Sequence, residues 1–239
     1  MRGRPLAWTL LAAAVLAAAG CNREQKLAEQ ASAQAAVAED AAKQAEGAFD
    51  AAVAEGNWQL AKAQGEVLLA QYPTTEAAAR VEPRLRDVTA KAEAMREERR
   101  LAALWLYQGQ PAGKGEQRTA LIHARDGIEV GGTATPVKLV FRDHPSWGRS
   151  SYLVMEAGDF DCYGSCQVGV SVDGAPPKRM AAYRPDTDEA IAMFINDDRA
   201  LWRLAQDAKT LEIEFPVKPD GTRKVLFEVA ALDPGRMPW

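Results

Sequence analysis

The spacing of apolar residues divides the chain into two unlike parts, of which the first is helical. Between about Glu24 and Ala54, small apolar residues recur at alternating intervals of three and four, which is the seam of a heptad repeat. A second helix is predicted from Trp58 to about Gln71. A third is predicted from Thr75 to about Leu106, with Pro83 starting a new segment or kinking the helix. The pattern predicts an Ala-rich helical hairpin or coiled-coil stalk over residues 21–106. The seam positions are Ala28, Ala31, Ala35, Ala38, Ala42, Ala45, Phe49 and Ala52.

The second part has the pattern of a β domain. After a polar, glycine-containing linker, predicted at residues 107–118, short β-branched and aromatic runs alternate with turn signals. One helix, Asp197–Lys209, interrupts them behind an Asx capping signal. This spacing favours a β-sandwich-like domain over residues 119–239, so the predicted fold class is α+β in two parts. The expected strands lie near Thr119–Ala124, Pro136–Arg142, Ser151–Ala157, Gln167–Asp173, Ala190–Ile195, Thr210–Val217 and Arg223–Leu232.

The first 20 residues are typical of a secretory signal. Two arginines precede an uninterrupted apolar run from Leu6 to Ala19, which is shorter than the about 20 residues of a spanning helix. The segment Ala18-Ala19-Gly20-Cys21 resembles the lipobox of bacterial lipoproteins, although Ala18 stands where leucine is usual. The resemblance implies that Cys21 is lipidated and becomes the new N-terminus. Ordinary signal cleavage and an uncleaved membrane anchor are the alternatives.

Lipidation predicts where the protein resides. Several acyl chains give stable anchoring, because each buried methylene contributes about 0.8 kcal/mol. Position 22 is Asn rather than Asp, which favours the outer membrane by analogy with the sorting rule of enteric lipoproteins. We therefore expect a periplasm-facing lipoprotein of the outer membrane, anchored to the membrane by its N-terminal lipid, whose helical stalk is able to self-associate.

The charge balance argues against a nucleic-acid partner. The formal net charge is -4, and removal of residues 1–20 lowers the basic count from 29 to 27 against 33 acidic side chains. The mature chain therefore carries about -6 and has no basic stripe along which phosphates would bind.

Two cysteines four positions apart, Cys162 and Cys166, are the only thiols left once Cys21 is lipidated. In an oxidising compartment an even number of cysteines indicates a disulfide, here across the turn Tyr163-Gly164-Ser165 between two antiparallel strands. A structural zinc would need four ligands and would have to recruit both histidines of the chain. Dithiol redox enzymes use Cys-x-x-Cys at a helix N-terminus, a different spacing. We predict the disulfide and no metal site.

Signals for catalysis are weak. Glu156, Asp159 and Asp161 cluster beside the turn, where carboxylates can perform acid–base chemistry or bind Ca²⁺, but we interpret them as solvated. His144, which can be cast as part of a nucleophilic triad, precedes a proline and fits a surface loop better. We therefore predict no catalytic residue and no cofactor.

Three aromatic residues are candidates for ligand binding. Trp147, Tyr152 and Trp202 can line a carbohydrate or peptide groove, and packing at the core or its rim is the alternative interpretation.

Several motifs of the second part resemble a known group of proteins. Trp105-Leu106-Tyr107 matches an aromatic W-x-Y opening, and Gly158 to Cys162 match a G-Q-F-x-C hairpin closed by Cys166, with Asp159 in place of glutamine. Val172-Asp173-Gly174 matches the end of the following strand. In these features the chain resembles an uncharacterised bacterial envelope lipoprotein family. More distantly, it is similar to periplasmic accessory lipoproteins associated with type VI secretion systems. The resemblance supports the bridge and the β-rich fold and carries no catalytic residues.

Taken together, the sequence predicts a non-enzymatic, lipid-anchored envelope interaction or assembly factor that binds another envelope protein. The alternative is a module that binds peptidoglycan or another glycan through Trp147, Tyr152 or Trp202. A hydrolase is the third hypothesis, and it would need a pocket where acidic side chains and His144 converge.

Overall fold

A computed structural model describes residues 9–185, 192–237 and 239, with side chains from residue 23 onward. Its contacts divide the chain into two compact units, Met1–Met95 and Arg96–Trp239. The first consists of helices, and the second begins with the last residues of the third helix and then holds a mostly antiparallel sheet with one further helix. The predicted α+β fold in two parts is confirmed. Residues 1–8 of the predicted signal lie outside the described residues, and no side chain is described for residues 9–22, which include Cys21. Lipidation therefore stays a prediction.

Three helices precede the sheet: α1 (Thr9–Ala54), α2 (Trp58–Gln71) and α3 (Glu76–Leu104). Gly56 has φ +68° just after α1, and the Asn57 side chain accepts a hydrogen bond from Leu60 N (3.2 Å), which caps α2. Helix α3 continues through Pro83 instead of starting anew there. Over the described residues, none of these helices combines the length and the apolar character that crossing a bilayer requires.

The core of the helical unit is built mainly from small side chains. On α1, the C-terminal half of the predicted seam is buried, as at Ala42, Phe49 and Ala52, whereas Ala28 and Ala31 in its N-terminal half are exposed. The cluster contains Ala42, Phe49, Ala52, Ala61, Leu68, Ala77, Ala78, Val81 and Val88. Self-association through the exposed half of the seam stays a prediction.

Twelve strands form among the described residues of the second unit. The main sheet follows the order β1-β2-β5-β6-β10-β9-β8-β11-β12, with β7 also paired to β11, and β3 and β4 form a separate ribbon. Helix α4 (Asp198–Asp207) lies between β10 and β11, capped by Asp197, whose Oδ1 accepts from Ala200 N at 2.9 Å. The strands are β1 (Trp105–Ala112), β2 (Gly115–His123), β3 (Ile128–Val130), β4 (Thr133–Thr135), β5 (Val137–His144), β6 (Gly148–Met155), β7 (Asp159–Phe160), β8 (Cys166–Val172), β9 (Lys178–Tyr183), β10 (Ala192–Ile195), β11 (Leu211–Lys218) and β12 (Gly221–Phe227).

The predicted linker at 107–118 is wrong, because those residues form most of the β1–β2 hairpin. Ala112 pairs with Gly115 across a two-residue turn that begins at Gly113, whose φ is +59°. Most side chains of β1 are exposed, so its sequence lacks the apolar alternation by which a half-buried strand is recognised.

One face of the continuous main sheet surrounds a single core. Near opposite edges of the sheet, Arg125 N, just after β2, donates to Leu226 O of β12 at 2.8 Å. The Trp105 indole Nε1 donates to Val229 O at 3.2 Å. The sheet therefore curls until its first and last strands share the same core, to which α4 adds Leu201 and Trp202. The other face is turned to solvent. Because successive side chains of a strand point to opposite faces, every second residue of each strand lies on this solvent face.

Candidate functional site

The disulfide is present, with Cys162 and Cys166 bonded and their Cα atoms 5.3 Å apart. It does not close a hairpin, however, since β7 and β8 both pair with β11 and not with each other. Eight residues lie between Phe160 and Gly169, whereas only two lie between their partners Val217 and Glu214. The segment between β7 and β8 therefore has six residues more than the part of β11 that it passes, and these extra residues form a loop. The disulfide lies within this loop.

The disulfide loop displays a tyrosine between two cations. Tyr163 is 57% exposed and its hydroxyl donates to Asp159 Oδ2 at 2.9 Å. Lys218 Nζ lies 3.8 Å from the centroid of its ring, and Arg184 Cζ lies 5.2 Å from it. The loop thus holds one aromatic ring in a fixed position at the surface.

The acidic residues beside the turn each pair with a cation instead of with one another. Asp159 Oδ1 lies 2.7 Å from Arg184 Nε, an ion pair whose angle does not make a hydrogen bond, and Asp161 lies 3.7 Å from Lys218 Nζ. Glu156 accepts a hydrogen bond from Lys138 Nζ at 2.8 Å, and this bond lowers the pKa of Glu156. No cluster of three metal-binding side chains occurs among the residues that the structure describes.

His144 stabilises a turn. Its Nδ1 accepts hydrogen bonds from Ser146 N (3.1 Å) and Trp147 N (3.2 Å). Its ring stacks on the indole of Trp147 at a centroid distance of 3.9 Å and an interplanar angle of 13°. The Nδ1 lone pair is therefore occupied by backbone hydrogen bonds, and the imidazole covers one face of the Trp147 indole.

An apolar row crosses the solvent face of the sheet, where alternation normally places polar residues. Successive register pairs join six strands from β1 to β9 in one line. Val140 in this row is covered, whereas Tyr183 is 40% and Leu106 47% exposed. The row consists of Leu106, Leu121, Val140, Tyr152, Phe194 and Tyr183.

The aromatic half of the row is organised around one arginine. Arg142 Cζ lies 5.5 Å from the ring centroid of Trp147, 5.4 Å from that of Tyr152 and 6.0 Å from that of Phe194. The Phe194 ring is tilted against Tyr152 at 4.8 Å and stacked on Tyr183 at 5.3 Å. We name these five residues, Arg142, Trp147, Tyr152, Tyr183 and Phe194, the aromatic platform.

The aromatic platform offers both apolar rings and unsatisfied donors. Arg142 Nε donates to Ser150 Oγ at 3.2 Å, and its other guanidinium N–H groups have no acceptor among the described residues. Trp147 is 72% exposed. Partial burial raises the pKa of Tyr152, partly offset by the charge of Arg142, so its hydroxyl stays neutral at physiological pH. The surface can therefore bind apolar groups and donate hydrogen bonds to a carbonyl or carboxylate.

The three predicted ligand-binding aromatics do not share one surface. Trp147 and Tyr152 both contact Arg142 on the solvent face. Trp202, by contrast, is only 4% exposed and packs in the core, edge-on to Phe141 (4.9 Å) and stacked on Trp239 (4.8 Å). The apolar face of α4 turns Trp202 inward.

The sequence interpretation missed Arg142, Phe194 and Tyr183. They lie on three different strands, and only the register of β5, β6, β10 and β9 brings them together. For Phe194 and Tyr183 the available signal was an apolar residue at an outward position of the strand, but recognising it requires the strand order. Arg142 carries no such signal, because an outward arginine is ordinary on a strand.

Comparison with known proteins identified no relative: no family model, no curated protein and no solved structure matches the chain.

Proposed function

We propose that this protein is a lipid-anchored, non-enzymatic factor of the periplasmic face of the outer membrane that binds another envelope protein through the aromatic platform. The observation that carries the proposal is the cluster of Trp147, Tyr152 and Phe194 around Arg142 on the solvent face of the sheet. Exposed apolar patches of this kind mark interaction sites in soluble domains. The anchor itself is supported by the lipobox-like sequence before Cys21.

The composition of the platform favours a protein partner. Trp, Tyr and Arg are the residues most enriched at the energetic centres of protein interfaces, where rigid rings supply contact area at little entropic cost. Arg142 is held between rings, so little of its conformational freedom remains to be lost on binding. The partner should offer apolar side chains to Trp147 and Tyr152, and a carbonyl or carboxylate to Arg142.

The non-enzymatic character is supported by the way the candidate catalytic groups are engaged. Glu156, Asp159 and Asp161 pair with separate cations, and the Nδ1 atom of His144 accepts backbone hydrogen bonds. Their pairing offers no joint acid–base site to a substrate.

The experiment is cross-linking in cells from a photoreactive amino acid placed at position 147 of the full chain. We expect one envelope protein to be captured, and capture to be lost when Arg142→Ala is added. The same photoreactive residue at Thr222, an exposed position on β12 that β8 and β11 separate from the platform, is the matched control and should not capture it. Equal capture from both positions, or capture indifferent to Arg142→Ala, would exclude the platform as the binding surface.

Glycan binding is the second candidate, favoured by the single observation that the flat indole of Trp147 is 72% exposed. A glycan binder would sediment with purified peptidoglycan sacculi, and Trp147→Ala would abolish sedimentation. If sacculi retain the chain while cross-linking captures no protein, the glycan replaces the protein as the partner.

A further inference from the structure

A pocket rimmed by arginines lies at the end of the sheet next to α4, separate from the aromatic platform. Its volume is about 360 Å³, and it is lined by Arg149, Arg199, Trp202, Arg203, Gln206 and Trp239. Asp and Glu side chains are missing from this lining, as far as the chain is described. Three cations therefore converge on one concavity of a protein whose formal net charge is -4.

The helix period explains why these side chains meet. Arg199, Arg203 and Gln206 follow one another at intervals of four and three along α4, so they share one face of that helix. Arg149 comes from β6 and reaches the same pocket from the sheet. Two elements that are distant in sequence thus supply cations to one place.

Two of the three arginines have no carboxylate partner within the described part of the chain. Arg149 Nε lies 3.7 Å from Asp143 Oδ2, a weak ion pair. For Arg199 and Arg203, no Asp or Glu oxygen lies within 4.0 Å among the described residues. The only side-chain bond of Arg203 there is a long one, 3.4 Å from its Nε to Arg199 O. Gathering like charges is unfavourable, and a bound anion would remove this penalty.

The positive surface extends beyond the pocket. An adjoining cavity of about 420 Å³ shares Arg203 and is also lined by Lys178 and Arg179. Its carboxylate, Asp197, already accepts the capping hydrogen bond from Ala200 N. Arg179 pairs with Glu214 at 3.4 Å, so the part with the least neutralised charge is the pocket beside Arg199 and Arg203.

The floor of the pocket is built from aromatic rings that pack against one another. The rings of Trp202 and Trp239 stack at 4.8 Å with an interplanar angle of 19°, and Phe141 packs edge-on against both. Arg149 Cζ lies 5.9 Å from the Trp239 ring centroid, which holds the guanidinium beside the floor. A fixed floor positions the donors in advance, so less entropy is lost when an anion binds.

We propose that this pocket binds an oxyanion, the phosphate or carboxylate of a small ligand, through the guanidinium groups of Arg199 and Arg203, with Arg149 and Gln206 completing the donor set. The planar guanidinium matches both oxyanions by paired N–H···O bonds, which are about twice as strong as neutral hydrogen bonds. The pocket shares no residue with the aromatic platform, so this proposal does not depend on the proposed function.

The test is isothermal titration calorimetry of the full chain in detergent with two probes, inorganic pyrophosphate and tricarballylate. Low ionic strength is used because salt screens exposed charges. We expect saturable binding of at least one probe, and the preferred probe tells phosphate from carboxylate. In Arg199→Gln/Arg203→Gln the affinity should fall at least about tenfold, since two charge-assisted hydrogen bonds are lost.

Matched variants separate the pocket from general electrostatics. Arg125→Gln removes one positive charge just after the C-terminal end of β2, whereas the strand register places the other end of β2 toward Arg149 and the pocket. This variant should retain wild-type affinity. Glutamine has nearly the helix propensity of arginine, so the double variant should keep its circular dichroism spectrum. Trp147→Ala should also leave probe binding unchanged, which keeps failure of the platform distinguishable from failure of the pocket.

Three results would overturn the proposal. They are the absence of binding of both probes to the wild-type chain, undiminished binding by the folded double variant, and an equal loss in Arg125→Gln.

Discussion

The two compact units bury different kinds of side chain, and this difference determines how each is stabilised. Five of the nine clustered positions in the helical unit are alanine, which releases little apolar area when buried. The sheet unit instead buries phenylalanine, leucine, isoleucine, methionine and tryptophan from strands distant in sequence. The helices depend on intrinsic propensity and a few large anchors, whereas the sheet depends on non-local packing.

Large aromatic side chains have different neighbours in the two cores. Phe49 is the one phenylalanine of the helical cluster, and its ring lies against Gly65. Phe141, in the sheet unit, contacts three other rings, those of Trp105, Trp202 and Trp239. Small residues let the helices approach closely, while the sheet core requires large rings to interlock.

The largest effect is expected from Phe141→Ala. Removing a fully buried ring that contacts three others should lower the free energy of unfolding of the sheet unit by about 3–5 kcal/mol. Denaturant unfolding followed by near-ultraviolet circular dichroism measures this, because that signal comes from the aromatic cluster. Hydrogen exchange should show the loss of protection in β5 and β6.

Leu106→Ala is the control, since Leu106 lies on the solvent face of the same sheet and is 47% exposed. It should change stability by no more than about 0.5 kcal/mol. A loss below about 1 kcal/mol for Phe141→Ala would contradict the idea that interlocking rings stabilise the sheet unit.

The disulfide is expected to have an intermediate effect. Replacing both Cys162 and Cys166 by serine should lower the stability of the sheet unit by about 2 kcal/mol, because the bond closes only a short loop. Thermal unfolding of the wild-type chain with and without reductant provides the same comparison without substitution. Identical melting temperatures under both conditions would mean that the bond stabilises nothing beyond its own loop.

Local signals made the helical region readable from sequence. Gly56 and Asn57 mark the end of α1 and the start of α2 by their own backbone and capping preferences, and the structure has both boundaries there. The Asx cap at Asp197 likewise identified α4. These signals act within a turn of helix, so they do not require knowledge of the tertiary fold.

The surface of the sheet could not be read in the same way. Arg142, Tyr152, Phe194 and Tyr183 converge because β10 pairs with both β6 and β9, a strand order that no local pattern encodes. Trp202 fell among the candidate ligand residues because a tryptophan on an amphipathic helix fits both rim and core. The disulfide loop was recognised by its cysteines, but its position along β11 depends on register.

Gly65→Ala tests the close approach of the helices. A Cβ at this position would lie 2.7 Å from Leu85 Cδ1 and 3.2 Å from the Phe49 ring, and that buried ring has little room to move. Overpacking typically costs about 1–3 kcal/mol, and the gain in helix propensity offsets part of it. We expect a net loss of about 1 kcal/mol in chemical unfolding followed at 222 nm.

Gly47→Ala is the matched control, because nothing lies within 4 Å of a Cβ added at this exposed position of α1. The same substitution should there stabilise the helical unit by about 0.5–1 kcal/mol. Opposite signs for the two variants would show that packing, not propensity, decides at Gly65, whereas stabilisation in both would rule out tight packing against Phe49.

The smallest effect concerns the sheet unit alone and depends on pH. Asp173 Oδ1 accepts hydrogen bonds from Thr210 N (2.7 Å) and Lys209 N (2.9 Å), and these bonds, that of Thr210 above all, lower the pKa of Asp173. Its folded pKa lies below the unfolded value of about 3.9, so its stabilising effect is present above that pH and is lost as the pH falls through the folded pKa.

Asp173→Asn keeps an oxygen acceptor and tolerates the positive φ of +49°, but it lacks the charge. The melting temperature of the wild-type chain should therefore exceed that of Asp173→Asn near neutral pH, and this advantage should shrink below about pH 4. A difference that stays constant across this range would mean that the carboxylate charge does not stabilise the start of β11.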